Sequence, residues 1–187
     1  MDALVRISAG TSTDPHDLEI AQNSYDNTNC ATDFLLANLI NDLKQIQASS
    51  WLCYVSDHGE NTSKALIGKF MHGMVSRQIV EVPMLMWVSP SYAQAHADKV
   101  AGLKSHLNPP FSASCTFHTL LDMGGLSCPG YQPEKSTASP LFSPGPRLVC
   151  DSGGTIIDYD KKFPARPDVG QAAPPQTEKL AAGVTRR

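Results

Sequence analysis

Trp51-Leu52-Cys53-Tyr54-Val55-Ser56-Asp57-His58-Gly59-Glu60 is the stretch on which the reading of this chain turns. Its first five residues are an unbroken apolar run with aromatic and β-branched side chains, which predicts a short strand buried on both faces. The run stops at Ser56, and a carboxylate, an imidazole and a glycine follow at once. A second apolar run, Val82–Val88, ends at Ser89-Pro90, and Pro90 opens a helix carrying Tyr92, Ala95, Val100 and Leu103. A helix upstream, two buried strands and a helix downstream predict an α/β layer with a parallel or mixed sheet.

Upstream of Trp51, Asp14-Pro15 with Asp17 reads as a helix start, because Pro suits the first helical position and acidic groups favour the positive end of the helix dipole. Leu36, Leu39, Ile40, Leu43 and Ile46 recur at three- and four-residue steps, the stripe of an amphipathic helix. The polar stretch Asn23–Asn29 leaves two readings open: one long helix, or two joined near Asn27. Downstream, His118–Met123 reads as a short helix closed by Gly124-Gly125. Eleven of the fourteen prolines lie after Leu107, so the last third is expected to be irregular, with short strands at most at Arg147–Cys150 and Thr155–Tyr159. The expected organisation is an unstructured lead-in over 1–13, a folded domain over 14–162 and a disordered tail over 163–187.

The 187 residues are 41% apolar and 18% charged, with a formal charge of −3, which suits a single domain. No basic run exists to meet a phosphate backbone, so nucleic acid is excluded as a natural partner. Val82–Val88 is far short of the roughly 20 apolar residues of a membrane-spanning helix. Met1–Gly10 shows no secretory signal, and the chain by itself is expected to be soluble. The five cysteines contain no C-x-x-C pair, so zinc-ribbon and thioredoxin readings fail. They read mostly as buried apolar thiols, with a Cys128–Cys150 bridge left open for an oxidising compartment.

Asp57 and His58 sit where a strand ends, the place at which open α/β sheets bind ligands. Neighbouring strand residues point to opposite faces, so both side chains reach one ion only if the backbone leaves the sheet there, a turn that Gly59 permits. A carboxylate oxygen beside an imidazole nitrogen suits zinc or manganese. Spacing alone also allows a plain turn with a polar cap. His72 by itself reads as a surface-loop histidine, and His118 as a packed histidine with one hydrogen bond. His16, His96 and His106 read as solvated, and Tyr25-Asp26 as a buried hydrogen-bonding pair.

Taken in order, Asn23-Ser24-Tyr25-Asp26-Asn27-Thr28, Thr32-Asp33, Tyr54-Val55-Ser56-Asp57-His58-Gly59-Glu60, His72-Gly73 and Val82-Pro83-Met84-Leu85-Met86-Trp87 resemble the C-terminal half of the catalytic domain of lipid A phosphoethanolamine transferases. Those enzymes belong to the sulfatase and alkaline-phosphatase superfamily, and the similarity runs from about Leu18 to Asp160. The resemblance implies a partial alkaline-phosphatase-like sheet with helices on both faces. It implies Zn2+ held in part by Asp57 and His58, with His72 as a catalytic histidine near the transferred phosphate.

The implied reaction moves phosphoethanolamine from phosphatidylethanolamine to a lipid A phosphate or core sugar through a threonine nucleophile. That threonine, a further acidic zinc ligand and another histidine lie well upstream of the matching segment in the family, and only 22 residues precede Asn23 here. Thr11 and Thr13 do not resemble the nucleophile region. The chain is therefore expected to hold one half of a bipartite site and to be inactive alone. The alternatives are a non-catalytic remnant and part of a sulfatase- or phosphodiesterase-type hydrolase. The full-length family implies the periplasmic face of the inner membrane, and a partial sheet implies self-association through its exposed edge.

Overall fold

The computed structural model describes residues 15–62, 75–151 and 153–164. A single helix α1, Pro15–Gln45, opens the described part, with Asp17 in its first turn and Lys44 in its last, each at the favourable end of the dipole. Of the two readings of the polar stretch, the unbroken helix is the one formed. Thr28 and Thr32 turn their hydroxyls back onto the carbonyls of Ser24 and Thr28, at 2.9 and 3.0 Å. Each hydroxyl thus shares a carbonyl that the helical ladder already uses, so it is satisfied without interrupting the helix. Tyr25 is half-buried but Asp26 is exposed, so the two do not form the expected buried pair.

β1, Trp51–Val55, lies where the apolar run predicts it, and β2, Met84–Val88, begins two residues into the second run. They pair antiparallel, with Trp51 opposite Val88 and Val55 opposite Met84. This differs from the parallel or mixed pairing expected. The chain leaves β1 at Val55 and comes back through the short helix α2, Arg77–Val80, at the same end of the sheet. A return to the end just left produces an antiparallel neighbour, whereas a parallel one needs a crossover along the whole sheet.

The register sorts the side chains. Trp51, Met86 and Val88 share one face and pack on a core of Tyr92, Met123 and Ala138. That core is built by α3 (Pro90–Ala95), α4 (Ala97–Ser105) and α5 (Cys115–Met123). Tyr54 and Leu85 face the other way and share a groove with Leu36 of α1. Helices therefore cover both faces, but only Leu52 of β1 is fully buried, since two strands shield little of each other.

α3 begins where its sequence says it should. Ser89 caps it by accepting from the Tyr92 amide, and Pro90 fills the first position. Burying Tyr92 and Met123 contributes about 1.5–3 kcal/mol each, and the Tyr92 hydroxyl is satisfied by the Met123 carbonyl at 2.6 Å. α5 starts three residues earlier than expected and closes on Gly124, with Gly125 at φ 64°. The stretch Ser136–Ser139, polar in sequence, is buried. Its hydroxyls and amides pair with Thr119 and with Asp122, which also holds Lys99 at 3.1 Å.

The described residues of the Pro-rich third contain a 3-10 turn, Pro133–Lys135, and an antiparallel hairpin of β3, Leu148–Cys150, and β4, Ile156–Asp158. A last turn of helix, α6, spans Tyr159–Lys162. Phe163 and Pro164 dock on Arg77, which stacks on the Phe163 ring and donates to the Pro164 carbonyl at 2.6 Å.

Three expectations about single residues are corrected. His96 is half-buried rather than fully solvated, with its ring 4.4 Å from that of Tyr92. His106 packs on Phe142 at 4.7 Å and bonds the Thr137 carbonyl at 2.9 Å. All five cysteines are free thiols, Cys115 alone is buried, and Cys128 and Cys150 are not bridged.

Candidate functional site

β1 delivers its last residues to the mouth of a groove. Tyr54, Ser56 and His58 alternate onto the face that α1 covers, and one stripe of α1, from Tyr25 through Thr32 and Asp33 to Leu36, forms the opposite wall. The cavity between them is about 410 Å3. Motif segments separated by about thirty residues in sequence thus meet at one place. Asp26, Asn27 and Thr28 of the same motif do not line it.

The strand ends in a tight turn. Ser56 donates its hydroxyl to the His58 carbonyl at 2.7 Å, and the Asp57 carboxylate accepts from the His58 amide at 3.0 Å. This turn overrides strand alternation and brings Asp57 Oδ2 to 3.8 Å from His58 Nε2. Gly59 is required for a different reason from the one its turn suggests. Its backbone is not left-handed, but a Cβ there would lie 2.0 Å from the Gln78 carbonyl oxygen, while its amide donates to Ile79 at 2.8 Å. Gly59 lets the strand end lie directly on α2.

The donor chemistry fits a divalent cation. His58 Nδ1 lies 2.9 Å from the Gly59 carbonyl, an acceptor, so Nδ1 carries a proton and, in the neutral ring, Nε2 presents the lone pair. A tetrahedral zinc with ligands about 2.1 Å away sets neighbouring donor atoms about 3.4 Å apart, so the observed 3.8 Å needs only a small side-chain rotation. The Asp57 side chain is 90% exposed and that of His58 39%, which leaves space for further ligands on the solvent side. The Gly59 hydrogen bond raises His58 above the ordinary imidazole value; partial desolvation opposes it, and the Asp57 and Glu60 carboxylates add to the rise. Glu60 Oε1 stands 3.9 Å from His58 Nδ1, on the side away from Nε2.

Among the described residues, no group of three or more His, Cys, Asp and Glu side chains stands close enough to hold a metal ion. Asp57 and His58 therefore form a pair of donors rather than a complete set. His72 lies outside the described residues. His118, as expected, is packed, and its Nδ1 accepts from the Gln132 amide at 3.2 Å. What sequence reading missed is α2, whose Gln78 lines the groove and whose Ile79 anchors Gly59. Its one local signal is Ser76, which caps the helix by accepting from Ile79.

Residues 8–126 match the sulfatase family model. The chain is 30% identical over 143 residues to phosphoethanolamine transferase EptC of Escherichia coli K12, a match that covers 74% of this chain and 24% of that protein. The chain thus spans about a quarter of that relative's length. In three dimensions it resembles the crystal structure of the C-terminal periplasmic domain of EptC from Escherichia coli, with a TM-score of 0.69 and 26% identity, over 83% of this chain and 45% of that one. The same domain in complex with Zn is equally similar, at a TM-score of 0.69 and 26% identity, over 84% of this chain and 44% of that one. With more than half of its residues matched and the fold recovered in space as well, this chain belongs to the sulfatase family.

Proposed function

We propose that this chain carries the metal-facing part of a zinc-dependent phosphoethanolamine transferase. Asp57 and His58 hold the cation, and His72 acts beside the transferred phosphate. The observation that carries the reading is the convergence of Asp57 Oδ2 and His58 Nε2 at 3.8 Å, at a strand end open to solvent, in a chain of this family. When bound, zinc supplies Lewis-acid stabilisation of phosphoryl charge and lowers the pKa of an attacking hydroxyl. The chain's own residues do the rest. Gly59 fixes the His58 tautomer through its carbonyl, Ser56 holds the turn, and His72 protonates the departing oxygen.

In the whole protein, the reading has a threonine hydroxyl take phosphoethanolamine from phosphatidylethanolamine and pass it to a lipid A phosphate or core sugar. No residue of this chain is assigned as that threonine. The site of action is the periplasmic face of the inner membrane. No helix among the described residues is long and apolar enough to cross a membrane.

Calorimetry tests the metal site. The 187-residue chain binds zinc, and Asp57→Ala with His58→Ala reduces the affinity at least tenfold; equal affinity in the double variant would remove the site. A turnover assay tests the division of labour. The isolated chain is expected not to release phosphoethanolamine from phosphatidylethanolamine. Release that vanishes on Asp57→Ala would show that the chain holds its own nucleophile.

A further inference from the structure

The groove beside His58 has a wall that the metal pair does not use. Tyr25, Thr32 and Asp33 stand on one stripe of α1, and Tyr54 lies opposite them on β1. Its volume of about 410 Å3 is within the range of small-molecule sites. The lining is selective in charge. It contains two tyrosines and the Asp33 carboxylate, and among the described residues no lysine or arginine lines it. The other lining carboxylate, Glu81, is engaged by Arg77 at 2.9 Å and by the Tyr159 hydroxyl.

An anion would meet the Asp33 charge with no cation to answer it except a protonated His58. A purely apolar ligand would make no use of the Asp33 carboxylate, which stands exposed at the groove, while the Thr32 hydroxyl already donates to the Thr28 carbonyl and keeps a lone pair free to accept. A small organic ammonium matches all three features: ring faces attract it through their quadrupole, and a carboxylate and a hydroxyl accept its protons.

We propose that this wall of α1 is an ammonium subsite for the aminoethyl arm of a phosphoethanolamine ester whose phosphoryl group lies at the Asp57–His58 end. An ester oxygen and two carbons separate phosphorus from nitrogen in such a ligand, and His58 of the metal pair lines the same groove as Tyr25 and Asp33. The inference rests on the function proposed above and adds to it the group that selects for an amine.

Titration of the 187-residue chain in zinc-containing buffer tests it with two compounds: phosphoethanolamine, and 2-hydroxyethyl phosphate, which keeps the phosphoryl group but has no amine. The expected result is a preference of about tenfold or more for phosphoethanolamine. Asp33→Asn and Tyr25→Leu each reduce that preference toward unity, whereas Tyr25→Phe, which keeps the ring face, retains it. Amide spectra of each variant establish that it is folded; Asp33 is exposed, so its replacement leaves the core untouched. Equal binding of the two compounds, or a preference that survives both Asp33→Asn and Tyr25→Leu, overturns the subsite and leaves the metal assignment standing. Binding of neither compound overturns both.

Discussion

Gly59 carries more structural weight than its neighbours with functional side chains. The hydrogen bond from its amide to Ile79 seats the strand end on α2, and its carbonyl orients the His58 ring. Gly59→Ala would put a methyl 2.0 Å from a backbone oxygen, where no rotamer can relieve it. The expected loss is about 1–3 kcal/mol, read as a lower midpoint in urea. Zinc affinity should fall with it, because the turn that joins Asp57 to His58 must shift. An unchanged midpoint would mean that α2 moves away at little cost. Asp57 weighs less: the hydrogen bond its carboxylate accepts from the His58 amide is exposed and its side chain almost wholly solvated, so Asp57→Ala should change stability by no more than about 0.5 kcal/mol while removing a metal donor.

At the scale of elements, the β3–β4 hairpin and α6 are held by charge as much as by packing. Arg147 donates to the Asp160 carboxylate and stacks on Tyr159 at 4.2 Å. The Arg147 hydrogen bond holds the Asp160 carboxyl below the ordinary carboxylate range, and hydrogen bonds from Lys161 and from the Thr155 amide do the same for Asp158 and Asp151. A depressed folded-state value means that the stabilisation is complete above the unfolded carboxylate value of about 3.9 and is lost as pH falls through the lower folded one. Hydrogen exchange should therefore show the amides of β3 and β4 losing protection below about pH 4. In Asp160→Asn this acid step should shrink but persist, because Asp151 and Asp158 still titrate. An acid step of full size in that variant would place the coupling elsewhere.

Seen whole, the chain exposes apolar surface along α1. Phe34 and Leu35 on α1 are each 66% exposed, Leu39 continues the stripe of Leu35 along the helix, and Ile46 is exposed just past its end. Such a patch favours association. Sedimentation velocity should show concentration-dependent self-association that Leu35→Lys with Leu39→Lys reduces. A monomer at all concentrations, or association untouched by the pair, would count against the α1 stripe as the contact.

The sequence by itself determined the elements whose signal is local. Apolar runs set β1 and most of β2, Ser89-Pro90 set the start of α3, and Gly124-Gly125 set the end of α5, because capping and strand burial depend on residues a few positions apart. The order of its motifs also singles out Asp57 and His58, the pair proposed above as metal donors. Only the tertiary structure decided the antiparallel return, the burial of Ser136–Ser139, and the packing of His96 and His106. It likewise decided the meeting of α1 with the end of β1 and the reason for Gly59. Each of these depends on partners brought together by chain reversal, and a hydroxyl or imidazole carries no local mark of the neighbour that will satisfy it.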